Sequence, residues 1–126
     1  MNLRKIVGNT DNKQLLADIA VKFLPLAEAQ VEQMVGGING AKANIRRAID
    51  VQRDCKYILR RRNQHPKSVI AWAAKCKADA NFEEHRYKGE KANFVEGYRE
   101  GRQLEFLLRS VILAAKKEEA DVSSNS

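Results

Sequence analysis

The sequence predicts an all-α fold, a compact bundle of about four to five helices with a long helix at its C-terminal end. Three observations lead there. Only 6% of the 126 residues are aromatic, and Ala, Leu, Glu, Lys and Arg dominate, a composition that favours helix over strand. Apolar residues recur at three- and four-residue spacing along most of the chain, the period of one helix face. Clusters of Pro, Gly and Asn fall between those stretches, where helix ends are expected.

Residues 1–9 read as a short arm. Thr10 and Asp11 are good N-caps for a first helix that sets Leu15, Leu16, Ile19, Ala20 and Phe23 on one side. Pro25 either kinks that helix or opens the next, because proline suits a first helical turn. Leu26 to Val35 is again helical, and the pairs Gly36-Gly37 and Asn39-Gly40 predict a break. Ala41 to about Asn63 is the best-defined element, ended by Asn63-Gln64-His65-Pro66 because proline disfavours helix in the residue before it. Ser68 to Ala80 reads as a fourth helix packing Val69, Trp72, Ala73 and Cys76. Asn81-Phe82-Glu83-Glu84 resembles a capping box, and Tyr87-Lys88-Gly89 reads as a loop. Asn93 to about Glu119 forms the long last helix. Residues 1–120 thus read as a single helical domain and 121–126 as a polar tail, with no internal repeat. A domain of this length buries about two thirds of its unfolded surface, so no metal or disulfide staple is needed.

Charge is distributed unevenly. The net charge is +7. Between Lys42 and Lys77 there are eleven Lys and Arg residues against only Asp50 and Asp54, while the rest of the chain carries twelve bases and fourteen acids. At about 100° per residue, Ala41, Ile45, Ala48, Cys55, Ile58 and Leu59 share one face of the 41–63 helix. Lys42, Arg46, Arg53, Lys56 and Arg60 fall in a stripe about 80° wide on the opposite side, with Ile49 inside it. Arg61 and Arg62 extend the stripe, and Lys67, Lys75 and Lys77 continue it. Solvent-facing helix surfaces ordinarily mix Glu with Lys. A stripe of one sign, about 27 Å long at 1.5 Å per residue, points instead to a polyanionic partner. Tyr57 and Trp72 lie near enough in sequence to stack on bases, although packing in the core or its rim is the commoner fate of such residues.

Two glycine pairs have helical spacing, Gly36 with Gly40 and Gly97 with Gly101. The first sits among turn-forming residues and reads as a break. The second is expected inside a helix, as a groove for close helix packing in the core or between subunits. Interior glycine costs up to ~1 kcal/mol relative to Ala, and such packing would offset it.

No catalytic constellation, phosphate-binding glycine loop or nucleophile motif is present, so the chain is not expected to be an enzyme or to need a cofactor. His65 and His85 have no metal-site spacing with Cys55 or Cys76, and the Glu83-Glu84-His85 cluster near Asp79 is a common product of charged helix surfaces. The start of the chain lacks a signal-like apolar run. No stretch reaches the ~20 apolar residues of a membrane span, Leu104 to Ala115 being interrupted by Glu105 and Arg109. An intracellular, cytoplasmic protein with reduced cysteines is expected, or a virion component if the source is viral.

The reading is a non-catalytic, basic, helical accessory protein of nucleoprotein assembly. It would bind a nucleic-acid backbone through Lys42, Arg46, Arg53, Lys56, Arg60, Arg61 and Arg62. The alternative is a protein-interaction module, either an inhibitor docking on an acidic protein surface or a helical subunit of a larger assembly, viral or otherwise, with Ile49 as a contact anchor. DNA versus RNA and the formation of a homo-oligomer are left open.

Overall fold

The computed structural model describes residues 13–124, with the side chains of 14–118. It corrects the expected bundle of four to five helices: the described residues are all-α but form two long helices. α1 runs over Lys13–Arg60, 48 residues, and α2 over Lys67–Ser124, 58 residues. A single turn of 3₁₀ helix, Arg62–Gln64, stands between them. The N-caps read at Thr10 and Asp11, and the arm at 1–9, lie outside the described residues. Of the tail read at 121–126, Asp121 to Ser124 continue α2, and the last two residues lie outside the description.

The break between the helices falls where Pro66 requires it. His65 is extended, at φ −128° and ψ 149°, the conformation that a following proline favours. The Pro66 carbonyl then accepts hydrogen bonds from the N–H groups of Val69 and Ile70, at 3.0 and 3.2 Å, which starts α2. The other expected breaks are absent among the described residues, and of the two readings of Pro25, a kink or the start of a new helix, the second is overturned. Pro25 lies inside α1, and Gly36, Gly37, Asn39 and Gly40 are all helical. Asn81 to Glu84 and Tyr87 to Gly89 run on within α2. None of the described glycines has a positive φ.

A seven-residue repeat supplies the physical reason. Ala20, Ala27, Met34, Ala41, Ala48 and Cys55 recur every seventh residue, interleaved with Ala17, Leu24, Val31, Ile38, Ile45, Gln52 and Leu59. Every one of them is buried or half-buried. On α2 the same period carries Ala73, Ala80, Tyr87, Phe94, Gly101 and Leu108, interleaved with Lys77, Glu84, Lys91, Tyr98, Glu105 and Ile112, again all covered. On α1 two apolar positions per heptad make a packing seam, whereas on α2 the interleaved position is mostly charged, at Lys77, Glu84, Lys91 and Glu105. Met34, Ile38 and Ala41 carry that seam across Gly36–Gly40, and the burial outweighs the local cost of glycine. Helical propensity is overridden by tertiary packing.

The chain forms two compact units, one of residues 13–34 with 96–124 and the other of residues 35–95. In the first, Ala20, Ala27 and Leu108 form a buried core flanked by Phe23, Leu24, Leu104, Val111 and Ile112. Gly97 and Gly101 lie inside α2 against α1: a Cβ on Gly97 would stand 2.7 Å from Met34 Sδ, and one on Gly101 would stand 2.9 Å from Val31 Cγ2. Glu105 is only 4% exposed. Its carboxylate accepts from Arg109 at 2.6 Å and from Arg102 at 3.2 Å, so the buried charge is paired twice. Arg109 also reaches Glu28 across the unit, at 3.3 Å.

The 35–95 unit is a helical hairpin made by the end of α1 and the start of α2. Its buried apolar residues are Ala41, Ala48, Cys55, Ala73 and Ala80. At Gly37 the Phe94 ring of α2 packs directly on the α1 backbone: a Cβ there would fall 2.5 Å from the ring. The one polar residue of the α1 seam, Gln52, donates through Nε2 to Glu84 Oε1 at 2.8 Å. A slipped alignment would break this hydrogen bond between the helices, so the pair favours one register. Each group also has a partner on its own helix, Ala48 O for Gln52 at 3.2 Å and Lys88 Nζ for Glu84 at 2.7 Å.

Candidate nucleic-acid interface

Between Ala41 and Arg60 the sequence separates α1 into two faces. Ala41, Ala48 and Cys55 are buried, and Ile45, Gln52, Ile58 and Leu59 are half-buried. Lys42, Arg46, Arg53, Lys56 and Arg60 are exposed, as are Arg61 and Arg62 where the helix gives way to the 3₁₀ turn. Ile49, inside the stripe, is 46% exposed.

The cations differ in their partners. Arg53 lies 3.5 Å from each of Asp50 and Asp54 on its own helix, both exposed pairs of small energetic weight. Among the described residues Lys42, Arg46, Lys56 and Arg60 form no ion pair. The Arg61 guanidinium stacks on the Tyr57 ring, 3.7 Å from its centroid. Arg62 donates through Nε to the Leu59 carbonyl at 3.4 Å. In the 13–34/96–124 unit, by contrast, Arg102 and Arg109 are neutralised by Glu105 and Glu28. The positive potential of the stripe is therefore largely uncompensated by the protein's own carboxylates.

An open groove of about 300 Å³ runs along the stripe, with Ile49, Arg53, Lys56, Tyr57 and Arg60 on its α1 side and Glu84 on its α2 side. Glu84 accepts from Lys88 Nζ at 2.7 Å and from Gln52. The Lys88 hydrogen bond, followed by that of Gln52, holds the Glu84 carboxyl below the usual carboxylate range, and burial opposes this only in part. The aromatics that flank the hairpin's turn are accessible, Tyr57 at 57% and Trp72 at 59%.

The acid–base cluster at Glu83-Glu84-His85 is not assembled around one point. Glu84 lines the groove with Tyr57, whereas Asp79 and Glu83 line a second groove with Asn44 and Tyr87. Among the described residues no three His, Cys, Asp or Glu side chains converge to hold a metal ion. Cys55 and Cys76 are free thiols, and burial, then the neighbouring Cys76, raises the Cys55 pKa. No helix of the described residues is long and apolar enough to cross a membrane.

Sequence reasoning missed three features of this region. The Gln52–Glu84 pair was marked by a lone glutamine in an otherwise apolar heptad ladder. The Arg61–Tyr57 stack was marked by its four-residue spacing, which puts both residues on one helix face. The third, the close approach at Gly37, was hidden because the glycine cluster resembles a turn. Comparison with known protein families, curated proteins and solved structures found no match.

Proposed function

We propose that this protein is a non-catalytic accessory factor that binds the nucleic-acid backbone along the exposed basic face of α1. Lys42, Arg46, Arg53, Lys56, Arg60, Arg61 and Arg62 supply the contacts. The observation that carries the reading is the run of exposed cations opposite a seam of small buried residues; of these cations Lys42, Arg46, Lys56 and Arg60 have no carboxylate partner among the described residues. Such a face neutralises phosphates and releases their counterions, which gives affinity with little dependence on sequence.

The test is a triple charge reversal, Arg46→Glu, Arg53→Glu and Arg60→Glu, measured by anisotropy of a labelled oligonucleotide in 50 mM salt. Binding should be lost while the circular-dichroism spectrum stays helical, because all three side chains are exposed. Retained binding would move the site elsewhere on the chain.

A second reading, a protein-interaction module, draws on the exposed apolar side chains, Ile49 within the stripe and Phe106, 75% exposed, on α2. Ile49→Ala separates the two: it leaves duplex binding by a phosphate-tracking face almost unchanged but weakens docking on an acidic protein surface, where a buried anchor dominates the affinity.

A further inference from the structure

Resting on the backbone-binding reading above, we infer that the groove beside Tyr57 takes an unstacked base of a single-stranded nucleic acid, so that the protein prefers single strands to duplex. A surface that reads charge alone contains cations and little else. Here the cations Arg53, Lys56 and Arg60 share an open groove of about 300 Å³ with an aromatic ring and an apolar side chain, Tyr57 and Ile49. One face of the Tyr57 ring carries the Arg61 guanidinium at 3.7 Å. A base on the ring would complete a guanidinium–tyrosine–base stack, the arrangement by which single-strand binders hold bases without reading their identity.

Glu84 gives the groove a direction. Its half-buried carboxylate lies on the α2 side, held by Lys88 and Gln52. A phosphate there would meet like charge, whereas an N–H group of an unpaired base, the N3–H of thymine or uracil included, can donate to a carboxylate oxygen. Phosphates are thus directed to the outer cations and the base to the groove. In a duplex the bases are paired and stacked, and none is free to enter.

Charge alone predicts the opposite preference, since duplex carries the higher charge density. The experiment compares the full-length chain on labelled twelve-nucleotide thymidylate and uridylate strands with a twelve-base-pair duplex, all in 50 mM salt. The wild-type protein should bind one or both single strands at least about tenfold more tightly than duplex. Tyr57→Leu should remove that preference while leaving duplex binding in place, and Tyr57→Phe should retain it. Preference with either sugar supports the inference, and the tighter strand identifies the polymer. Duplex binding as tight as single-strand binding, or a preference that survives Tyr57→Leu, overturns the inference and leaves the backbone-binding reading standing. Absence of binding to all three ligands overturns that reading itself. Because Tyr57 is exposed, loss of the fold does not confuse the result, and an unchanged helical spectrum verifies this.

Discussion

Glycines within these two helices differ by what a methyl group would meet. Nothing lies within 4 Å of a Cβ built on Gly36 or Gly40, whereas one on Gly37 would collide with the Phe94 ring and one on Gly97 with Met34 Sδ. Gly36→Ala and Gly40→Ala should each raise stability by about 0.5–1 kcal/mol, since helical alanine loses less backbone entropy on folding. Gly97→Leu should lower it by ~1–3 kcal/mol through overpacking. Urea denaturation followed by circular dichroism measures both, and a stabilising Gly97→Leu would contradict the packing described here. A second residue-scale prediction concerns pH. The hydrogen bonds from Lys88 and Gln52 lower the folded-state pKa of Glu84, so the stability they contribute is present above the ordinary glutamate pKa. It is lost as the pH falls through the lowered folded value. Gln52→Ala should therefore be less stable than wild type at neutral pH, with the gap closing as the solution is acidified; a gap that widens would show that Glu84 is not the linked group. At this scale the sequence was partly legible. Spacing alone singled out Gly97 and Gly101, but a lone Gln52 signals a seam partner only once the seam is recognised.

The elements show why local signals misled. Apolar periodicity marked nearly every helical stretch, and Pro66 marked the turn. Pro25, the glycine cluster at 36–40 and the Tyr87-Lys88-Gly89 segment also looked like breaks, because each is unfavourable for helix locally. What joins the stretches is the strict seven-residue ladder from Ala20 to Cys55, which keeps its register through Pro25's neighbours and through all four turn-forming residues. A break would shift the ladder out of phase; none does. Pro25 is exposed on the interior of α1, where its ring opposes the preceding turn and one backbone hydrogen bond is missing. Pro25→Ala should raise stability by roughly 1–3 kcal/mol, seen as a higher urea midpoint. If the residue instead began a separate helix, where proline is favoured, the same substitution would be neutral or destabilising.

For the molecule as a whole, charge rather than fold carries the functional account. The excess of bases between Lys42 and Lys77 was fully legible, because composition needs no structure to be counted. Which of those bases lack an acidic partner was not legible, since Arg53 is tied to Asp50 and Asp54 while Arg46 and Arg60 make no ion pair among the described residues. The number of helices was beyond reach of short-window reasoning for the reason given above, and it changes the setting of the basic face: Lys42 to Arg60 occupy the last turns of one 48-residue helix rather than a separate element of a bundle. The measurement that tests the central claim most directly is the salt dependence of binding to nucleic acid. If about five phosphates are neutralised, log affinity should fall against log salt with a slope near −4.5 on duplex and near −3.5 on a single strand. Between 50 and 200 mM salt that is a loss of about 500-fold and about 130-fold respectively. A slope near zero, or no binding to DNA or RNA even in 50 mM salt, would contradict it.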